Sequence, residues 1–143
     1  MYEMQKKILI IDDDPDILEF LSYNLKNEGY QVAQALSGMN ALWQLAEKCQ
    51  PDLILLDLML PGTHGFEICQ YFKQSQEFKN IPIIILSAKG SAEDMETGLA
   101  MGANAYFVKA SFTIQSLMGF IRKLLAKPIV ATNTHFMKEL TFT

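Results

Sequence analysis

Polar residues that could do chemistry stand at the ends of four short apolar runs. An unbroken apolar run of this kind predicts a strand that is covered on both faces. The first, third, fourth and fifth predicted strands lie at residues 8–11, 53–56, 81–86 and 105–108. They are followed by Asp12 with Asp13, Asp57, Ser87 and Lys109, in that order. Because ligands of doubly wound sheets bind beyond the carboxyl ends of the strands, we expect these side chains to line one site.

The charges of this predicted site do not balance without a further cation. Two like charges about 4 Å apart repel by roughly 4 kcal/mol at an effective dielectric constant near 20. Lys109 offers a single positive charge against three carboxylates. A divalent cation would restore the balance, and hard oxygen ligands suit Mg²⁺. Ser87 is a neutral donor that can bond an anionic oxygen, so the set of residues favours a metal together with a phosphoryl group.

Each of these residues also has a simpler explanation. Asp14 is followed by Pro15, which makes it a candidate helix N-cap. Asp12 and Asp13 could serve only to solvate a loop. A serine or a lysine at the end of one strand is weak evidence by itself, so the prediction depends on the convergence of four strand ends.

The chain alternates five strand-like runs with five helical patterns. In the first helical pattern Ile17, Leu18, Leu21 and Leu25 recur at helical spacing, and Gly29 stands where a C-terminal cap belongs. Such alternation predicts an α/β fold, with a parallel sheet that is covered by helices on both faces.

Length, charge and cysteine content restrict the class of protein. The 143 residues suffice for one domain with its own core, and the net charge of −4 gives no reason to expect direct nucleic-acid binding. No apolar run approaches ~18 residues, so no membrane segment is predicted. The N-terminus lacks the pattern of a signal peptide. Cys49 and Cys69 are interpreted as free thiols, and we predict a cytoplasmic protein.

Four ordered motifs resemble the receiver domain of two-component response regulators. They are ILIIDDDPD at residues 8–16, PDLILLDLMLPG at residues 51–62 together with Gly65, IPIIILSA at residues 81–88, and GANAYFVK at residues 102–109. The resemblance covers about residues 6–126 and implies a flavodoxin-like three-layer sandwich, whose five-stranded sheet has the order 2-1-3-4-5. We therefore assign residues 1–126 to a receiver domain and residues 127–143 to a C-terminal tail or the start of a linker.

The resemblance also implies a role for each residue of the site. Asp57 would accept a phosphoryl group from phosphohistidine, and Ser87 and Lys109 would bind the phosphoryl oxygens. Tyr106 would be the switch aromatic that turns inward as Ser87 moves. The implied ligands of Mg²⁺ are Asp13 and Asp57 directly, the backbone carbonyl of Met59, and Asp12 mostly through water.

The partners implied by the resemblance are proteins of the same signalling pathway. A histidine kinase or a histidine phosphotransfer protein would supply the phosphoryl group. A downstream protein or output domain would respond to the surface of helix four, strand five and helix five, and a phosphorylation-dependent homodimer is a further option. The chain would be a switch and not an enzyme, apart from slow self-catalysed phosphotransfer and dephosphorylation.

Ala110 departs from the family pattern, in which proline usually follows the lysine, often through a cis bond. A cis bond before a non-proline residue costs about 3–4 kcal/mol. The Lys109–Ala110 bond is therefore either a strained cis bond or a trans bond that aims the lysine differently. A pseudo-receiver that only binds partners is one alternative. A haloacid-dehalogenase-like phosphatase is another, although that family needs a second acid where this chain has Met59.

Overall fold

The computed structural model describes residues 5–47 and 49–126. Its strands are β1 (Lys7–Ile11), β2 (Gln31–Ala35), β3 (Leu53–Leu56), β4 (Met59–Leu60), β5 (Thr63–His64), β6 (Ile83–Ser87) and β7 (Ala105–Val108). Its helices are α1 (Pro15–Asn27), α2 (Gly38–Ala46), α3 (Gly65–Gln74), α4 (Ala92–Ala100) and α5 (Ile114–Leu125).

Five of the strands form one parallel sheet in the order β2-β1-β3-β6-β7. The strands β4 and β5 pair only with each other, so this order is the predicted order 2-1-3-4-5 of the five main strands. The predicted α/β fold with a doubly wound parallel sheet and five helices is confirmed. Because all five strands run the same way, the residues that follow them emerge at one edge of the sheet.

The sheet is covered on both faces, as its apolar strands require. Along β3 the side chains of Ile54 and Leu56 join the core cluster beneath α2 and α3. Leu53 and Leu55 join the opposite cluster, beneath α1 and α5. Every residue of β3 is buried. A strand that is buried on both sides cannot alternate apolar with polar residues, which explains the unbroken run in the sequence.

Side-chain caps fix the starts of α1, α4 and α5 near the carboxyl edge of the sheet. Asp14 caps α1, because its Oδ1 accepts the backbone N–H of Asp16 at 2.9 Å. Ser91 caps α4, where its Oγ accepts the N–H of Asp94 at 3.0 Å and donates to that residue's Oδ2 at 2.7 Å. The simpler explanation of Asp14 as a helix cap is therefore correct.

Two details of the predicted elements differ from the structure. The fourth main strand was expected over residues 81–86, but β6 spans Ile83–Ser87, so that Ser87 lies inside the strand. The turn-forming residues Pro61 and Gly62 predict a loop after Asp57. Instead, Met59–Leu60 and Thr63–His64 form a small antiparallel hairpin. Strands of two residues are too short to show a periodic pattern of apolar residues. The hairpin therefore could not be predicted from a sequence in which Pro61 and Gly62 indicate only a turn.

Two further points bear on the predicted organisation. Among residues 5–47 and 49–126, no helix has both the length and the apolar character that crossing a membrane requires. The predicted tail or linker, residues 127–143, lies outside the residues that the structure describes.

Gly119 offers a direct test of how α5 is stabilised. A Cβ atom built there has the Nη2 atom of Arg122 as its nearest neighbour, at 4.0 Å. Glycine inside a helix costs about 0.8–1.0 kcal/mol relative to alanine. We therefore expect Gly119→Ala to raise the free energy of unfolding by about 0.5–1 kcal/mol in a urea titration. A decrease would show that the space around Gly119 is needed by a neighbouring side chain.

Candidate functional site

The two central strands bring two carboxylates together at the carboxyl edge of the sheet. Asp12 follows β1 and Asp57 follows β3, and the preceding residues Ile11 and Leu56 are paired in the sheet. The N–H of Asp57 donates to the carbonyl of Ile11 at 2.9 Å, and the N–H of Asp12 donates to that of Ala35 at 3.0 Å. The backbone at both aspartates is therefore held by sheet-like hydrogen bonds, and both residues are buried.

Lys109 links these two carboxylates. Its Nζ lies 2.9 Å from the Oδ2 atom of Asp12 and 3.1 Å from the Oδ2 atom of Asp57. The lysine follows β7, and its N–H donates to the carbonyl of Ser87 at 2.8 Å. Its side chain is only 17% exposed, and those of the two aspartates are 3% and 4% exposed. Ion pairs at this depth are screened little by salt.

The other oxygen of each carboxylate is also bonded. The Oδ1 atom of Asp12 accepts the N–H of Asp14 at 2.9 Å, and the Oδ1 atom of Asp57 accepts the N–H of Met59 at 3.1 Å. Each carboxylate is therefore oriented by a backbone donor on one side and by Lys109 on the other.

The peptide bond between Lys109 and Ala110 is trans, since the described residues contain no cis peptide bond. The strained cis alternative is therefore wrong for this chain. The trans bond still directs the lysine to Asp57, with its Nζ atom 3.1 Å from the Oδ2 atom of the aspartate. Loss of the family's usual proline has not displaced the cation from the site.

Three carboxylates of the site fit a metal ion. One oxygen from each of Asp12, Asp13 and Asp57 lies within 4.8 Å of the others, with Asp13 exposed and the other two buried. All these donors are hard oxygen atoms, which is the set that Mg²⁺ prefers. The exposed position of Asp13 leaves room for the waters that Mg²⁺ retains.

Burial and charge perturb the acid–base behaviour of this cluster. Burial raises the pKa of Asp12 above its usual value, and the neighbouring charge of Asp57 raises it further, against hydrogen bonds from Asp14 and Lys109 that lower it. Burial alone would lower the pKa of Lys109, but its hydrogen bonds to both aspartates outweigh that and raise it. The lysine is therefore held in its charged form, and excess negative charge at the site favours a further cation.

Ser87 and Tyr106 are connected through the backbone of Lys89. Ser87 is fully buried, and its Oγ accepts the N–H of Lys89 at 3.3 Å. The hydroxyl group of half-buried Tyr106 donates to the carbonyl of Lys89 at 2.7 Å. Burial raises the pKa of the Tyr106 phenol, and the carboxylate of Asp94 raises it further, against the neighbouring hydroxyl group of Ser87, which lowers it. Lys89 went unnoticed in the sequence because it acts through backbone atoms, which any residue type could supply.

Gly65, the first residue of α3, lies directly against the backbone of Asp57 and Leu58. A Cβ atom at this position would overlap the Cα atom of Leu58 and lie 2.8 Å from the carbonyl oxygen of Asp57. The N–H of Gly65 also donates to the carbonyl of Leu58 at 3.0 Å. Gly65 therefore lets the start of α3 lie directly against the backbone that carries Asp57. The sequence marked it only as part of a motif.

The model of the response regulator receiver domain matches residues 8–122 of this chain. The chain belongs to the response regulator receiver family. Solved structures with this receiver fold include a response regulator from Chloroflexus aurantiacus J-10-fl, which is 35% identical with a TM-score of 0.80 over 87% of this chain and 100% of that one. The chemotaxis response regulator CheY4 of Vibrio cholerae is 31% identical with a TM-score of 0.76, over 85% of this chain and 100% of that one.

Curated relatives of this receiver are transcriptional regulators. The DNA-binding dual master transcriptional regulator RpaA of Synechocystis sp. is 41% identical over 121 residues, which are 85% of this chain and 49% of that protein. The phosphate regulon transcriptional regulatory protein PhoB of Rhizobium meliloti is 40% identical over 129 residues, 89% of this chain and 56% of that protein. The chain spans about half the length of these relatives.

Membership of the receiver family indicates the general function of the chain. The receiver is a phospho-accepting switch of two-component signalling and not a true enzyme. Receiver domains bind Mg²⁺ at an acidic pocket, and this receiver has a cluster of aspartates at the carboxyl edge of its sheet. The comparisons do not support the haloacid-dehalogenase-like phosphatase.

Proposed function

We propose that Asp57 accepts a phosphoryl group from the phosphohistidine of a histidine kinase or a histidine phosphotransfer protein. The observation that carries this proposal is the hydrogen bond from Lys109 Nζ to the Oδ2 atom of Asp57 at 3.1 Å. It gives the nucleophile a neighbouring cation that can also neutralise an incoming phosphoryl group. Phosphoryl transfer needs mainly such positioning and charge stabilisation.

The chemistry requires few groups. A carboxylate oxygen of Asp57 attacks phosphorus, the bond from phosphorus to the histidine nitrogen breaks, and an aspartyl phosphate results. Lys109 pairs with one phosphoryl oxygen, and the hydroxyl group of Ser87 donates to another. Slow dephosphorylation follows when water attacks phosphorus, which releases inorganic phosphate and restores the carboxylate.

Mg²⁺ belongs to the same proposal. Asp13 and Asp57 would hold it directly, with the backbone carbonyl of Met59, while Asp12 would act mostly through water. When bound, the ion supplies positive charge beside the transferring group. The support for this ligand set is the spacing of the three carboxylates, within 4.8 Å of one another.

The response to phosphorylation would pass from Ser87 to Tyr106. Tyr106 lies on β7 and would report the phosphorylated state to the surface formed by α4, β7 and α5, which would bind a downstream protein, an output domain or a second copy of the chain. The receiver domain would span residues 1–126, with residues 127–143 as tail or linker. The predicted cytoplasmic location stays a prediction.

The test is phosphorylation by a small donor. Incubation with Mg²⁺ and acetyl phosphate should add one phosphoryl group, as measured by intact mass. The gain should vanish in Asp57→Asn, which lacks the nucleophile, and in EDTA. Asp16→Asn, on the exposed first turn of α1, is the matched control and should be phosphorylated normally.

Either of two results would contradict the proposal. Phosphorylation of Asp57→Asn would move the acceptor to another residue. A folded protein that gains no phosphoryl group from acetyl phosphate or from any phosphorylated histidine protein would instead favour the pseudo-receiver.

Mg²⁺ should also stabilise the protein through Asp13. A ligand that binds only the folded state adds about 2.7 kcal/mol of stability at a hundred times its dissociation constant. We expect Mg²⁺ to raise the melting temperature relative to EDTA, and Asp13→Asn to lose most of that rise. Asp16→Asn should keep it. An undiminished rise in Asp13→Asn would remove Asp13 from the ligand set.

A further inference from the structure

The inner side of α4 meets the ring of Tyr106 at Gly98. Gly98 is the buried residue of α4. A Cβ atom built there would lie 2.9 Å from the Cδ2 atom and 3.2 Å from the Cε2 atom of Tyr106, and 2.8 Å from the Cδ1 atom of Ile85. Separations below 3.0 Å force one of the groups to move. The ring of Tyr106 therefore lies where only a glycine on α4 leaves room for it.

The hydroxyl end of the Tyr106 ring is linked by hydrogen bonds to Ser87 of the site. The hydroxyl group of Tyr106 donates to the carbonyl of Lys89, whose N–H donates to the Oγ atom of Ser87. The ring thus spans the distance from α4 to the peptide that contacts Ser87. A change at either end of this chain of contacts must be accommodated at the other.

We propose that Gly98 is a positioning residue of the switch, because it gives the Tyr106 ring its place against α4 and thereby couples α4 to Ser87. This inference rests on the proposed function, in which Ser87 binds the phosphoryl group. Glycine is a poor helix former, so its presence inside α4 opposes local helix stability. The space taken by the Tyr106 ring supplies the physical reason for it.

The direction of the effect follows from the donors and acceptors. Ser87 accepts a hydrogen bond from Lys89 and keeps its own proton, which it can donate to a phosphoryl oxygen. The observed placement of Tyr106 is therefore compatible with a phosphoryl group on Asp57. A methyl group at residue 98 opposes this placement and should weaken binding of a phosphoryl analogue.

The experiment compares Gly98→Ala with Gly119→Ala, which makes the same replacement on α5 in open space. Both are made in an Ile85→Val background, because valine lacks the Cδ1 atom and removes the clash with the core. The affinity for beryllofluoride in the presence of Mg²⁺ is measured by titration. Nuclear Overhauser contacts between the Tyr106 ring and the backbone of residue 98 report where the ring lies.

We expect Gly98→Ala to weaken beryllofluoride binding about tenfold relative to its background, and to lose the ring contacts. Gly119→Ala should change neither. Adding Tyr106→Leu, which removes the ring, should abolish the difference between glycine and alanine at residue 98.

Three results would overturn the inference. Equal affinity of the Gly98→Ala variant and its background would remove any coupling. A loss of affinity that persists with Tyr106→Leu would mean that the added methyl group acts on α4 and not through the ring. If the wild type itself bound no beryllofluoride, the proposed function would fail, and the coupling would fail with it. The first two results concern only the coupling, because in both of them the wild type binds beryllofluoride.

Discussion

A Lys109→Met variant is expected to lose about 3 kcal/mol of unfolding free energy at neutral pH. The lysine contacts two buried carboxylates, at 2.9 and 3.1 Å. Methionine keeps much of the side chain's packing but leaves Asp12 and Asp57 facing each other without a cation. Breaking a buried ion pair by removing one partner costs more than the pair itself contributes, since the remaining charge stays buried.

The pH dependence of this loss gives the sharper test. Burial already raises the pKa of Asp12, and without Lys109 it should rise further. When the folded-state pKa of an acid lies above its unfolded value, the folded protein binds more protons between the two values, and stability falls as pH rises. The deficit of Lys109→Met should therefore shrink as the pH is lowered from 7 toward the pKa of Asp12.

Urea titrations in EDTA at several pH values would measure this effect. Lys123→Met, which removes an exposed lysine from α5, is the matched control and should change stability little at any pH. A deficit of Lys109→Met that did not vary with pH would mean that the lysine stabilises the fold through packing and not through its charge.

A Gly65→Ala variant is expected to lose about 3 kcal/mol of stability and most of its reactivity toward acetyl phosphate. The atoms that a Cβ would meet are all backbone: the Cα atom of Leu58, the carbonyl carbon of Leu58 at 3.0 Å and the carbonyl oxygen of Asp57 at 2.8 Å. No side-chain rotation can relieve such contacts. The start of α3 or the segment that carries Asp57 must shift instead.

Gly119→Ala again provides the comparison, since it adds the same methyl group in open space and should stabilise the protein. Unfolding free energies and the rate of phosphoryl gain by intact mass would be measured on both variants. Normal stability together with normal phosphorylation of Gly65→Ala would show that α3 can move away from the backbone of Leu58 and Asp57 without disturbing the nucleophile.

The strand ends could be predicted because their sequence signal is strong. The four residues before Asp57 are all apolar, and a carboxylate directly after such a run can only lie at the mouth of the sheet. The parallel order of the strands then brings Asp12 beside it. The shared contact of Lys109 with both aspartates could not be read from the sequence, because it depends on the path of the chain at Ala110.

Other contacts of the site could not be predicted from the sequence. The chain has eight glycines, and nothing in their spacing singles out Gly65 and Gly98 as the two that lie against Leu58 and Tyr106. The link from Ser87 to Tyr106 passes through backbone atoms of Lys89. Close approaches and backbone contacts depend on tertiary packing, to which residue type is a weak guide.

The small hairpin after Asp57 has a consequence for how the receiver would choose its phosphodonors. Pairing of Met59 with His64, and the bond from Gly65 to Leu58, close the segment that follows the carboxylate. Asp57 is thus held by Met59 on one oxygen and Lys109 on the other before any donor arrives. Because folding already orients this nucleophile, the phosphodonor does not have to orient it. Discrimination among donors would then arise from protein surfaces away from the carboxylate, and molecules too small to touch those surfaces would still react.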